Sequence, residues 1–90
     1  MSFDWDETKR RRNLHDHQVD FVDIFPLFDG DILETIDNRR DYGETRMRCL
    51  GQINGRVYVV IYTWRRGNRR IVSARKANAR EQREYRSRYG

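Results

Sequence analysis

The chain has 90 residues and a formal net charge of +5, with 37% of its residues hydrophobic and another 37% charged. This length accommodates one small domain over residues 1–90, and the composition supplies enough large side chains for a compact core. No apolar run approaches the ~18 residues of a membrane span and the N-terminus lacks the order of a signal peptide, so we expect a cytoplasmic protein that is neither exported nor membrane-bound.

A first helix is predicted from Trp5 to about Asp16, because Asp4 lies three residues before Glu7 as in a capping box. Three side chains at four-residue spacing share one face of it: Lys9, Asn13 and His17. His15 and His17 point to different sides of a helix and have no obvious third ligand, so we predict no metal site. One of the two can act as an acid or a base, and the alternative is an ordinary surface histidine.

A second, shorter helix is predicted over Val19–Phe25, with Asp20 as its cap and Pro26 ending or kinking it. The densest aromatic cluster of the chain lies here, and we expect it to be core: Phe21, Ile24, Phe25 and Phe28. After a turn, the alternation from Ile32 to Asp37 predicts a short edge strand.

Three further strands are predicted, Arg46–Ile53, Val57–Thr63 and Arg70–Lys76. Asn54-Gly55 is a strong hairpin signal, and a basic loop over residues 64–68 joins the last two strands. Together with the edge strand they predict a four-stranded antiparallel meander. The fold class is therefore α+β, with two N-terminal helices, this sheet and a C-terminal helix.

The alternation of side chains predicts which of them share a face of the sheet. In the first of the three strands, Met47, Cys49 and Ile53 lie on one face, and Arg46, Arg48, Leu50 and Gln52 on the other. The middle strand is apolar on both faces, which predicts that it is covered on both sides. In the last strand, Val72 and Ala74 are predicted to point one way, and Ile71, Ser73 and Arg75 the other. Cys49, the single cysteine, is expected to be a small buried residue.

A final basic helix is predicted from Ala79 to about Arg88, with Asn78 and Glu81 in capping-box positions. The charge is polarised along the chain: residues 1–45 hold twelve acids and six bases, net −6, while residues 46–90 hold thirteen bases and two acids, net +11. Clustered cations gain affinity by displacing counterions from phosphates, which favours a nucleic-acid surface on the C-terminal half. The alternative is that the two halves neutralise each other in the fold.

Several motifs in order resemble the BrnT family of bacterial type II toxins: Phe3-x-Trp5-Asp6-Glu7-x-Lys9-x-x-x-Asn13-x-x-x-His17, Val19-x-Phe21, Asp41-Tyr42-Gly43-Glu44-x-Arg46, Tyr62-Thr63-x-Arg65 and Arg70-Ile71-Val72-Ser73-Ala74-Arg75-Lys76-Ala77. The resemblance covers nearly the whole chain. It implies a RelE-like toxin fold, an endoribonuclease that blocks translation by cleaving mRNA, and no cofactor. It also implies a cognate BrnA-like antitoxin, an oligomer with that antitoxin as an option, and operator DNA bound only through the complex, which represses its own operon.

Metal-free RNA cleavage needs a base, an acid and cations for the phosphorane charge. Arginine suits the last task, because its planar fork matches two phosphate oxygens and stays charged. Arg46, Arg65 and Arg75 come from three successive strand regions and are predicted to converge on one face, which Arg48 can extend. Proton transfer or orientation is assigned to Lys9, His17 and Glu44, and base stacking or proton holding to Tyr62.

Each of these residues also has a structural alternative. Glu44 can simply pair with Arg46 or Arg65, Tyr62 can be core with a satisfied hydroxyl, and Arg75 can pair with an acid of the first helix. Two other function classes stay open as well. They are a non-catalytic RNA-binding module and a protein-interaction domain whose basic C-terminal helix serves an acidic partner.

Overall fold

A five-stranded mixed sheet, with helical elements against both of its faces, forms the framework of the computed structural model, which describes residues 2–90. The strand order is β1-β5-β4-β3-β2; β1 is parallel to β5, and the other pairs are antiparallel. The elements in chain order are β1 (Phe3–Trp5), α1 (Glu7–His17), a 3-10 helix (Phe21–Asp29), β2 (Leu33–Asp37), β3 (Arg46–Ile53), β4 (Arg56–Arg65), β5 (Asn68–Lys76) and α2 (Ala79–Tyr89). No helix within residues 2–90 has the length and apolarity needed to cross a membrane.

The predicted α+β class is confirmed, but the predicted four-stranded antiparallel sheet lacks β1. Phe3 pairs with Arg69 and Trp5 with Ile71, so β1 adds a parallel strand beside β5. Three residues are too few to show an alternation of apolar and polar side chains. The strand is recognised only from its pairing with β5, which is distant in the sequence. Because of this strand, α1 begins at Glu7 and its cap is Asp6 and not Asp4. The Asp6 carboxylate accepts hydrogen bonds from two backbone N–H groups of the first turn.

The second predicted helix is a 3-10 helix that continues to Asp29 with Pro26 inside it, so the predicted end at Pro26 is wrong. Asp20 caps it as expected, accepting a hydrogen bond from the Val22 N–H. A proline removes only one backbone donor, and the short 3-10 helix keeps its place because one side of it is buried against the sheet. Its buried residues are Phe21, Ile24, Leu27 and Phe28.

Two apolar clusters sandwich the sheet, as the two-sided apolar pattern of β4 predicts. The larger lies under the 3-10 helix and includes Val60 of β4. The smaller lies under α2 and includes Val57, Val59 and Ile61 of the same strand. We call these two surfaces of the sheet the 3-10 face and the α2 face. Cys49 is buried in the larger cluster, and this burial raises the pKa of its thiol to about 12.

A β-bulge in β5 corrects the predicted side-chain directions of that strand. Ile61 pairs with Ser73 while Tyr62 pairs with Ile71, so Val72 is an extra residue. Ile71 therefore joins Ala74 on the 3-10 face, and Val72 packs with the α2 cluster. Such an irregularity reverses the alternation of side chains for every residue beyond it, and no local sequence pattern indicates where it occurs.

Asn13 fixes α1 along the free edge of β5, just beyond the point where β1 ends. Its side-chain N–H₂ donates to the carbonyl oxygens of Val19, at 2.9 Å, and Ala74, at 2.7 Å, while its oxygen accepts from the Ala74 N–H at 3.1 Å. The buried amide thus completes the edge of β5 as another strand would. This contact holds α1 beside the part of the sheet that carries Ser73 and Arg75.

Candidate active site

Arg46, Arg65 and Arg75 lie on the α2 face of the sheet, in the region that α2 itself leaves uncovered. Residues paired across an antiparallel ladder share a face, as do residues two apart in one strand. Arg75 pairs with Val59 of the α2 cluster, and Arg65 follows Ile61 of that cluster by four positions. Arg46 lies four positions before Leu50 in β3, and Leu50 also belongs to the α2 cluster, so Arg46 is on the same face. The alternation of three strands therefore brings together side chains that are distant in the sequence.

These arginines line an open depression, which we call the arginine groove. Four adjoining cavities form it, and each of them is lined by Val72, by Ser73 or by both. One wall is α1, and the opposite wall is the segment of residues 38–45 between β2 and β3. The polar residues that line the groove are Asp6, Lys9, Arg12, Asn13, Asp16, His17, Arg39, Arg40, Tyr42, Glu44, Arg46, Arg48, Thr63, Arg65, Arg70, Ser73 and Arg75.

Glu44 organises one end of the groove. Its carboxylate lies 3.1 Å from the Arg46 Nε and 3.9 Å from an Arg65 terminal nitrogen, so one acid holds two of the predicted cations. The Tyr42 ring lies under the Arg46 guanidinium at 4.0 Å, a cation–π contact that further restrains it. The structural role foreseen for Glu44 as a partner of Arg46 and Arg65 is therefore present in the fold, beside its position in the groove.

Glu81 of α2 organises the other end. Its two oxygens accept hydrogen bonds from the two terminal nitrogens of Arg75, both at 2.8 Å, and the second oxygen lies 3.4 Å from Arg48. The bidentate contact with Arg75 lowers the pKa of Glu81 to about 2, although its burial acts in the opposite direction. The structural alternative that paired Arg75 with an acid of the first helix is wrong in its partner, because the acid comes from the start of α2.

Lys9 and His17 project from α1 along the wall of the groove. Both are exposed and lie one turn on either side of Asn13, whose bonds to β5 fix the register of the helix. His15 lies outside the groove, with its Nδ1 3.1 Å from Asp16. Within residues 2–90, no three His, Cys, Asp or Glu side chains are grouped so as to hold a metal ion.

Tyr62 does not join the other predicted site residues. It lies on the 3-10 face, 1% exposed, with its ring edge-on to Phe28 and its hydroxyl donating to the Glu34 carboxylate. Burial, and then this bond to a carboxylate, raise the pKa of Tyr62 to about 12. Tyr62 lies on the other face from the arginines because it is three positions from Arg65 in the same strand, and side chains an odd number of positions apart point to opposite faces. The aromatic side chain that does line the groove is Tyr42.

Arg70 and Arg39 also line the groove, and sequence reasoning missed both. Arg70 and Arg75 are five positions apart, so in a regular strand their side chains would point to opposite faces. The β-bulge between them reverses the alternation and brings Arg70 to the α2 face. Arg70 is paired with Asp4 at 2.7 Å. Arg39 is held by the buried carboxylate of Asp37 at 2.8 Å and follows a strand end, where the pattern indicated only a polar loop.

The groove thus presents several guanidinium groups around its floor, with three carboxylates, an imidazole and an amine at its walls. Guanidinium groups bind phosphate oxygens in bidentate geometry and keep their charge at any physiological pH. Carboxylate, imidazole and amine groups are the side chains that transfer protons in general acid–base catalysis. The arrangement can therefore bind a phosphodiester and stabilise extra negative charge on it.

Comparisons with known proteins agree with this chemistry. The model of a family described as the ribonuclease toxin, BrnT, of type II toxin–antitoxin systems matches residues 5–81. The fold is similar to the 1.1 Å crystal structure of the Brucella abortus ribonuclease toxin, BrnT, with 27% identity, a TM-score of 0.67, and coverage of 87% of this chain and 97% of that one. No curated protein matches the chain. Because the family model spans most of the sequence and the fold agrees with that crystal structure, the chain belongs to the BrnT family of ribonuclease toxins of type II toxin–antitoxin systems.

Proposed function

We propose that this toxin is a metal-independent endoribonuclease that cleaves mRNA in the arginine groove and so blocks translation in the cytoplasm. The clustering of Arg46, Arg65 and Arg75 on one sheet face, beside Lys9 and His17 of α1, carries the proposal.

In the proposed reaction, the ribose 2′-hydroxyl attacks the adjacent phosphorus and the bond to the 5′-oxygen breaks. The products are a 2′,3′-cyclic phosphate and a 5′-hydroxyl. The three arginines stabilise the phosphorane charge, because cations already in position stabilise a charge that develops only in the transition state. One of Glu44, His17 and Lys9 takes the 2′-hydroxyl proton, and another supplies a proton to the leaving oxygen. A phosphate entering the groove competes with Glu44 and Glu81 for the same guanidinium groups.

The test is cleavage of end-labelled single-stranded RNA by purified toxin with a metal chelator present. We expect products with cyclic phosphate ends, and we expect Arg46→Ala, Arg65→Ala and Arg75→Ala each to lower the rate by about a hundredfold or more. Arg56→Ala is the matched control, since Arg56 is an exposed arginine of β4 outside the groove. Wild-type rates in all three groove variants would remove the site, and rates abolished by the chelator would remove metal independence.

Two outcomes would favour the other function classes. Salt-sensitive RNA binding without any product, even at high protein concentration, would indicate a non-catalytic RNA-binding module. Tight binding to an acidic protein that is indifferent to competing RNA would indicate a protein-interaction domain.

Membership of a type II system implies an antitoxin partner. We propose that this partner is BrnA-like, stops cleavage by binding the toxin, and brings it to operator DNA, where the complex represses its own operon. Co-purification with the product of the neighbouring open reading frame tests the first part. Gel-shift titration of the promoter with toxin alone and with the complex tests the second, and a shift by toxin alone would contradict it.

A further inference from the structure

Trp64 is an exposed aromatic residue whose position the cleavage site does not explain. It lies in β4 next to Arg65, but on the 3-10 face of the sheet and therefore outside the arginine groove. The residue is 55% exposed, whereas tryptophan is usually largely buried. Its ring is nevertheless held in place, edge-on against Tyr62 at 5.6 Å and with the Arg69 guanidinium 4.7 Å from its centroid.

We propose that Trp64 is a stacking platform for an unpaired RNA base, one that flanks the nucleotide bound in the arginine groove. The inference rests on the proposed function and adds a second point of contact for the same strand. Because Trp64 and Arg65 are consecutive, an RNA strand that leaves Arg65 around the tip of the β4–β5 hairpin meets the indole ring next. A base with a planar π-face stacks on such a ring whatever its identity.

The charge around Trp64 favours a polyanionic partner over an apolar one. Arg65, Arg66 and Arg69 are within five positions of it in the hairpin, and the sequence from residue 45 to residue 80 contains no acidic residue. Glu34, the acid of β2 on this face, accepts the hydrogen bond of the Tyr62 hydroxyl and so does not repel a strand as a fully open carboxylate would, while the other acids on this side, Asp20, Asp23 and Asp29, belong to the 3-10 helix and its cap and not to the hairpin. An aromatic ring bordered by arginines is the combination that proteins use to hold single-stranded nucleic acid.

Ile36 offers a matched comparison on the same sheet face. It is 61% exposed, and it lies on β2, opposite Met47 and at the far edge of the sheet from β5. Its side chain has no π-face for a base to stack on. If exposed apolar surface alone were responsible for binding, Ile36 would matter as much as Trp64.

The experiment measures binding of short single-stranded RNA with 2′-O-methyl riboses, which cannot be cleaved because the nucleophile is blocked. Trp64→Ala is expected to weaken binding by about fivefold or more, which is the loss of one stacked base. Trp64→Tyr is expected to retain binding to within about threefold, since a ring remains. Ile36→Ala is expected to bind as the wild type does, and a duplex of the same RNA is expected to be indifferent to Trp64→Ala.

A second readout does not depend on removing the side chain. The chain has two tryptophans, Trp5 and Trp64, so Trp5→Phe leaves Trp64 as the only indole fluorophore. Adding the methylated RNA to this variant is expected to quench its fluorescence, in step with binding, because the base contacts the ring directly. Unchanged fluorescence at saturating RNA would overturn the proposal even if Trp64→Ala failed to fold.

The remaining outcomes separate this inference from the proposed function. Binding weakened by Arg65→Ala but not by Trp64→Ala would remove the stacking site and leave the cleavage site intact. Absence of both RNA binding and cleavage in the wild type would remove both. Loss of antitoxin binding with unchanged RNA binding in Trp64→Ala would assign the ring to a protein interface and also overturn the inference.

Discussion

Replacing Glu81 by glutamine tests how α2 is held on the sheet and how Arg75 is oriented. Glu81 is 7% exposed and accepts hydrogen bonds from Arg75, Arg48 and the backbone N–H of Asn78. Glutamine has nearly the same shape, and its oxygen can still serve the cap. It removes the negative charge, however, and turns one acceptor into a donor that faces guanidinium N–H groups. The variant therefore probes the ion pair with little change in packing.

The size of the effect follows from the lowered pKa. A carboxyl whose pKa falls from 4.5 to about 2 stabilises the folded state by about 3 kcal/mol once it is ionised in both states. Since the Arg75 side chain is 37% exposed and water screens the pair, we reduce this to about 2 kcal/mol. For a domain of this size, such a loss corresponds to a fall in melting temperature of about 8–16 °C.

Thermal unfolding measured from neutral pH down to about pH 2 is the assay. Glu84→Gln is the matched control, because Glu84 is on the same helix and also contacts Arg48, but has a more exposed side chain. The folded pKa of Glu81 lies below its unfolded value, so its stabilisation is complete above about pH 4.5 and disappears as the pH falls through about 2. The gap between wild type and Glu81→Gln should close over that range.

Equal melting temperatures for the two glutamine variants at neutral pH would refute the reasoning. So would a gap between wild type and Glu81→Gln that stays constant down to about pH 2, because the lost interaction would then not involve an ionised carboxylate.

Three further variants or probes test the framework of the site. Asn13→Ala should lower the free energy of unfolding by about 2–4 kcal/mol in urea titrations, because it leaves buried backbone groups unpaired, whereas Asn13→Asp should restore little of it. Gly51→Ala should cost about 1–3 kcal/mol, since the new Cβ would lie 2.5 Å from the Cγ of the buried Leu27; wild-type stability would contradict this. Cys49 should react with a thiol reagent only as fast as the protein unfolds, because it is buried and its pKa is about 12, and rapid labelling under native conditions would be the contrary result.

Local signals in the sequence predicted the elements whose stabilising contacts are close along the chain. The Asn54-Gly55 turn places both residues at positive φ, as the hairpin between β3 and β4 requires. The capping box of Asn78 and Glu81 starts α2 at the predicted residue. Alternation in β3 also placed its arginines on the correct face. Each of these predictions depends on neighbours within a few positions.

The features that the sequence did not predict depend on distant partners or on a single extra residue. The strand β1 exists because its three residues pair with β5, more than sixty positions away. The bulge at Val72 moves Arg70 into the groove, and no composition signal accompanies it. The position of Tyr62 could not be predicted because the predicted strand ends at Thr63 and leaves Arg65 in a loop. The structure continues β4 to Arg65, and only then does the odd spacing put the two side chains on opposite faces.

The parallel pairing of β1 with β5 also sets the order in which the toxin can assemble during synthesis. The first strand is made early but has no partner until residues 69–71 have been translated. The hydrogen bonds between Asn13 and Ala74 likewise cannot form before Ala74 has been translated. Contacts of such high sequence separation form late, after the cost of closing a long loop has been met. A nascent chain interrupted before that point therefore carries α1, with Lys9 and His17, without the strand that holds this helix in place.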